Sequence, residues 1–218
     1  MGIMNFKDVA RPQKHVRPNA DEPVGPGAVR PMVDASGSAP SAPTIGIPGV
    51  DLVVREAREA DLAQIGALTA GVYADENLAP PEYCEVLRDA RSRWQAPATT
   101  LLVAHEGKAE EPQDILGSIV YAAPGSPWQE IMRDDDAEFR MLAVAATARG
   151  RGIGEALVRA CIDRARREGS PRIGLSTSLD MRAAQRLYER LGFVRVPELD
   201  WYPLPDTRFV LRGYALTL

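Results

Sequence analysis

Arg149-Gly150-Arg151-Gly152-Ile153-Gly154 packs two guanidinium groups and three glycines into six positions, between the apolar run "LAVAA" and an amphipathic helix pattern. A helix start exposes unpaired N–H groups at the positive end of its dipole, and glycines just ahead of it let the backbone approach an anion closely. The chemistry suited to such a loop is the cradling of a pyrophosphate, with Arg149 and Arg151 adding charge. Two familiar phosphate loops do not match. A P-loop needs Gly-Lys followed by Ser or Thr, and Gly152-Ile153-Gly154-Glu155-Ala156-Leu157 lacks the third glycine of a dinucleotide-binding turn. From the loop alone, a tight strand-to-helix turn with solvated arginines stays open as well.

The rest of the chain excludes several classes of function. A net charge of -4 and a pI near 5.4 argue against a nucleic-acid surface, which needs a basic excess on one face. His15 and His105 are the two histidines, so a metal site has little to build on. His105, at the end of a strand-like run, reads as a solvated turn residue. Cys84 and Cys161 lie far apart in helix-like patterns and read as free buried thiols in a reducing compartment. Apolar runs fall short of the roughly 18 residues that span a bilayer, and the first 20 residues mix Lys, Arg and Pro. The expectation is a cytoplasmic protein without metal, membrane or nucleic-acid partner.

Elements able to position the loop begin near residue 50. Residues 1–49 hold eight of the 18 prolines and show no sustained period of 2 or 3.6, which predicts a disordered Pro/Gly/Ala-rich leader. A docking arm that folds on a partner is the alternative. Beyond it, Leu52 to Arg55 reads as a strand, and Asp61 reads as the cap of a helix through Leu62, Ile65, Leu68, Thr69 and Val72. A second helix is predicted over Pro81 to Trp94, followed by a hairpin from "TTLLVAHEGK" and "DILGSIVYAAP". In "AEFRMLAVAA", Phe139, Met141 and Ala143 alternate with Glu138, Arg140 and Leu142 as a strand would require. The glycine loop, a helix over Gly152 to Glu168, the strand "RIGLSTS", a helix over Asp180 to Leu191 and two final strands complete the order. The fold class is therefore α/β: a mixed, largely antiparallel sheet of six to seven strands, flanked by about four helices, with a parallel βαβ unit at the glycine loop.

"LAVAATARGRGIGEAL" resembles the acyl-CoA-binding motif of the GNAT superfamily of acyl-CoA-dependent N-acyltransferases, with Arg149, Gly152 and Gly154 at its defining places. "DMRAAQRLYERLGFVRV" resembles that family's later motif through Ala184, Leu187, Tyr188, Gly192 and Phe193. The resemblance runs from Leu52 to Leu218 and implies that residues 50–218 form one acyl-CoA N-acyltransferase domain. It implies an acetyl group moved from acetyl-CoA to a primary amine by direct attack on the thioester. A non-catalytic acyl-CoA-binding sensor is the alternative, and a homodimer is common in the family.

The resemblance also implies residue roles. The sheet would splay open between Phe139–Val144 and Ile173–Thr177, with the backbone of Leu142 and Val144 pairing with the pantetheine amides. An N–H near Val144 would polarise the thioester carbonyl. The pyrophosphate would rest on the N–H groups of Gly150, Gly152, Ile153 and Gly154, beside Arg149 and Arg151, with Ala184 and Tyr188 completing the cofactor site. Tyr188 matches the tyrosine that protonates the departing thiolate, core packing being its other reading. Glu138 matches a general-base glutamate that would strip the amine of a proton, the other reading being a carboxylate at a solvent-facing strand end. Asp134, Asp135 and Asp136 would draw in a cationic substrate or be a solvated loop. Met181 and Ala146 depart from a common asparagine and proline. The acceptor candidates are Tyr73, Tyr83, Trp94, Trp201, Tyr202 and Arg208.

Overall fold

The computed structural model describes residues 52–107, 114–133, 135–203 and 210–218. The expected leader, Asp134 and Arg208 lie outside them. Among the described residues, seven strands form one sheet in the order β1-β2-β3-β4-β5-β7-β6. They are β1 (Leu52–Glu56), β2 (Thr99–Glu106), β3 (Gly117–Ala122), β4 (Ala137–Val144), β5 (Arg172–Ser178), β6 (Val194–Arg195) and β7 (Leu211–Thr217). Only the β4–β5 pair is parallel, joined through the long helix between them, and every other pairing is antiparallel. This is the sheet expected from the sequence, at the upper end of its strand count.

Five α-helices among the described residues flank it: α1 (Leu62–Asp75), α2 (Pro81–Arg88), α3 (Ala90–Trp94), α4 (Ile153–Glu168) and α5 (Arg182–Arg190). The helix expected over Pro81 to Trp94 is two. Asp89 leaves helical geometry at ψ 75°, and its carboxylate accepts the Ser92 N–H at 3.0 Å, capping α3. The helices divide by face because the strands alternate. On β2, Leu102 and Ala104 join a core with α4, whereas Leu101 and Val103 join a second core with α1 to α3.

Two sequence expectations change here. His105 is fully buried on β2, where its Nε2 accepts the Arg55 Nε–H at 3.1 Å. Asp61 stands at the N-cap of α1, but its side chain does not cap that helix. Its carboxylate takes the Arg55 guanidinium in a fork at 2.6 and 3.1 Å and the Arg58 N–H at 2.7 Å, so the residue closes the turn ahead of the helix. A buried arginine needs such partners, because desolvating a charge is costly unless it is paired and hydrogen-bonded.

Candidate active site

The parallel pair is short. Ala137 pairs with Ile173 and Glu138 with Gly174, and beyond that rung no further pairing joins β4 to β5. On its other side β4 carries a bulge. Ser118 faces Ala143 while Val120 faces Arg140, so β4 holds one residue more than β3 over this stretch, and Met141 adopts φ 55°. A left-handed backbone at a residue with a Cβ is strained by about 1–3 kcal/mol and clusters at functional sites. The extra residue also shifts the phase of the strand. Phe139 lies in the core with α4, but Met141 moves to the opposite core, and Leu142 and Val144 take up the α4 face instead. The simple alternation of Phe139, Met141 and Ala143 is thereby broken.

Ala145 donates its N–H to Leu116 at 2.8 Å, ahead of β3. Backbone groups alternate sides along a strand, so Val144 and Leu142 present theirs to the gap that β5 has left. At the end of β4 the chain makes a 3-10 turn at Ala146–Ala148 and enters the glycine loop. Gly150 and Gly152 sit at φ 74° and 79°, a conformation that glycine adopts without a Cβ penalty. Gly152 is the N-cap of α4 and supplies no side-chain cap. The first intrahelical bond there runs from the Ala156 N–H to the Gly152 carbonyl, so the N–H groups of Ile153 and Gly154 precede the helix ladder. Ile153 itself is buried.

Gly154 has open space of its own. A Cβ built there would lie 3.6 Å from Leu187, 3.7 Å from Val144 and 3.8 Å from Leu142, so the missing methyl leaves a slot bounded by β4 and α5. Ala184, half-buried on α5, packs on the same core. Arg149 pairs with Glu76 and Arg151 with Glu106, all four side chains more than a third exposed. Ion pairs this exposed are worth about 0–1 kcal/mol and exchange readily for a phosphate.

Tyr188 of α5 is buried in the core that the sheet shares with α4. Its ring packs on Phe139 at 5.7 Å, Phe193 at 6.1 Å and Tyr214 at 6.5 Å. No described residue hydrogen-bonds its hydroxyl. Burial pushes that hydroxyl above the ordinary tyrosine range, so it holds its proton at neutral pH.

A pocket of about 850 Å³, counted to its open mouth, lies on the other side of the bulge. Arg140 and Met141 of β4, Ser176 and Thr177 of β5, Tyr73, Tyr83 and Trp201 line it together with Glu130 from the loop before β4. Met181 lines it as well, taking the Thr177 hydroxyl to its sulfur at 3.6 Å. Glu138 is not among the lining residues. Its side chain is fully buried, and Oε2 accepts the N–H groups of Glu130, Ile131 and Met132 at 2.9, 3.0 and 3.2 Å. Burial pushes the Glu138 carboxyl upward, opposed by Arg140 and those three amides.

Of the acceptor candidates, Tyr73, Tyr83 and Trp201 line this pocket, whereas Trp94 and Tyr202 are exposed and are not among its lining residues. Asp136 is buried in a fork with Arg172 at 3.1 and 2.5 Å, so it neither draws in a substrate nor sits in a solvated loop. Sequence reasoning missed Glu130 and the bulge at Met141. Among the described residues there is no group of three metal-ligating side chains, and no helix is long and apolar enough to cross a membrane.

A helix N-terminus behind a glycine loop, a short parallel pair and a pocket beyond it are the arrangement that the resemblance implies for an acyl-CoA-dependent transferase. The model of the acetyltransferase (GNAT) family matches residues 69–193. N-alpha-acetyltransferase 30 of Saccharomyces cerevisiae is 33% identical over 132 residues, 61% of this chain and 71% of that protein. A GCN5-related N-acetyltransferase from Kribbella flavida superposes with a TM-score of 0.58 at 28% identity, covering 77% of this chain and 98% of that one. A chain of the NatC complex bound to Gag peptide and CoA gives 0.55, also at 28% identity, with the same coverage. The chain belongs to the GNAT acetyltransferase family, and its activity is acetyl-CoA-dependent N-acetylation.

Proposed function

We propose that the acceptor is the α-amino group of a peptide or protein N-terminus. The observation that carries this reading is the pocket beyond the Met141 bulge, which is open on one side and bears a carboxylate among apolar and aromatic walls. An α-amine has an ordinary pKa of about 7.7–8.0, so near neutral pH a modest base suffices to free its lone pair. The relatives named above support the choice, one being an N-alpha-acetyltransferase and another a complex with a peptide and CoA.

In this scheme the pyrophosphate of acetyl-CoA rests on the N–H groups of Gly150, Gly152, Ile153 and Gly154, with Arg149 and Arg151 beside it. The pantetheine amides pair with the backbone of Leu142 and Val144, past Ala184. The amine attacks the thioester carbon from the pocket, and the Val144 N–H stabilises the oxyanion. Losing one such donor costs about 2.7–4 kcal/mol. Tyr188 then donates its hydroxyl proton to the departing thiolate. The α4 N-terminus, the Met141 bulge and a buried Tyr188 hydroxyl that no described residue hydrogen-bonds support these assignments.

The test offers the purified protein acetyl-CoA with a peptide whose N-terminus is free, and with the same peptide N-terminally blocked and containing lysine. Tandem mass spectrometry should find the acetyl group on the free α-amine and none on the blocked peptide. Acetylation of lysine in both peptides would overturn the reading.

A further inference from the structure

We infer that Glu130 takes the proton from the acceptor amine, and that Glu138 is the positioning residue that holds it in place. This rests on the pocket being the acceptor site. Glu130 belongs to the long connection between β3 and β4, yet its side chain is only 6% exposed and lines the pocket with Met141, Ser176 and Thr177. A loop carboxylate buried to that degree needs something to hold it, and Glu138 does so. By accepting three consecutive N–H groups from residues 130 to 132, its Oε2 closes the loop backbone over the last paired rung of β4 and β5. The same rung has Gly174, where a Cβ would stand 2.0 Å from the Met132 sulfur, so the loop lies directly on β5. Arg140 adds a third anchor by donating to the Trp128 carbonyl at 3.0 Å.

The charges make Glu130 the group left with work to do. Arg140 stands between two carboxylates, its Nη2 2.7 Å from Glu130 Oε2 and its Nε 3.8 Å from Glu138 Oε1. Glu138 Oε2 has its three amides, whereas Glu138 Oε1 and Glu130 Oε2 are both left to Arg140 without an aligned hydrogen bond, so it is position that separates the two carboxylates. One guanidinium cannot neutralise both carboxylates, so the cluster favours uptake of a proton or of an ammonium, and Glu130 is the member that meets the pocket. The other groups facing it are Tyr73 from α1 and Tyr83 from α2, with Arg93 of α3 acting on both tyrosines. Burial pushes Glu130 up to about 7, Glu138 reinforcing the shift and Arg140 opposing it. A base poised there is matched to neutral pH.

The step balances as follows. The ammonium gives one proton to the Glu130 carboxylate, and the freed lone pair forms the N–C bond at the thioester. As the C–S bond breaks, Tyr188 passes its proton to the sulfur and recovers one from the nitrogen. Glu130 then releases its proton to solvent.

The test compares the full chain with Glu130→Gln and Glu138→Gln, measuring kcat/KM for the acceptor across pH and acetyl-CoA affinity separately. Glu130→Gln should lower kcat about 10²–10³-fold near pH 7 and lose the acid limb, leaving acetyl-CoA affinity unchanged. Added formate should restore part of the activity of Glu130→Ala, an outcome that a purely structural role would not give. Glu138→Gln should lose rate but keep the limb. The inference is overturned if Glu130→Gln keeps the wild-type rate and limb, if formate restores nothing to Glu130→Ala, or if the limb disappears with Glu138→Gln alone. A wild type that acetylates lysine or small amines, but no peptide N-terminus, overturns only the acceptor reading. The comparison is then made on that amine.

Discussion

Replacing Gly154 with Ala should separate the stability of the fold from its affinity for acetyl-CoA. Gly154 is the second residue of α4, at a backbone conformation open to any L-residue, and its new methyl would meet Leu187, Val144 and Leu142 at 3.6, 3.7 and 3.8 Å. Those are ordinary contacts, so nothing in the unliganded fold must shift. A compatible Gly-to-Ala change restricts the unfolded chain and stabilises by about 0.4–1 kcal/mol. The methyl nevertheless fills the slot that the cofactor arm is proposed to pass. One extra methyl in a filled site costs about 1–3 kcal/mol, roughly a 5- to 150-fold rise in Kd. Urea unfolding should therefore show equal or greater stability, and calorimetric titration should show weaker acetyl-CoA binding. Wild-type affinity in a stable variant would refute the passage of acetyl-CoA beside Gly154.

Three further outcomes follow from the same geometry. Tyr188→Phe keeps the ring packing and removes the acid, so kcat should fall about 10²–10⁴-fold at unchanged acetyl-CoA affinity, and equal loss of both would mark the residue as packing alone. Gly152→Val, forced into φ 79°, should weaken acetyl-CoA binding more than Arg151→Gln, whose guanidinium is half-exposed and paired with Glu106; the opposite ranking would mean that side-chain charge holds the cofactor. Burial and the neighbouring Arg55 hold His105 below its ordinary value in the folded chain, so the unfolded chain binds its proton first. Stability should then decline as pH falls from about 6.5 through that lower folded value, and His105→Gln should flatten the decline in urea titrations. An identical slope in both proteins would refute this origin.

The glycine loop and its sheet context were legible because they rest on local spacing. Three glycines ahead of an amphipathic helix mark a tight turn into a helix N-terminus, and the strand–helix–strand order points to the parallel pair that is found there. The bulge was not legible, since Met141 takes φ 55° without the glycine that usually announces such a backbone. His105 was misread because its burial depends on Arg55, 50 residues away, which no local pattern connects to it. Glu130 left no signal either. It sits in a stretch without periodicity, and its place depends on three amides meeting a glutamate on the following strand. Glu138 itself stood out by position on β4, but sequence could not show which way its oxygens turn.

The central claim is that acetyl-CoA lies in the gap between β4 and β5 with its phosphates on the α4 N-terminus and its thioester facing the pocket. A crystal structure with CoA covalently joined to a peptide N-terminus tests it in one step. The account predicts phosphate oxygens within hydrogen-bond distance of the Gly152 to Gly154 N–H groups, pantetheine beside Leu142 and Val144, and the peptide nitrogen in the pocket near Glu130. A pyrophosphate seated away from that helix end, or a peptide entering from any other face, would contradict it.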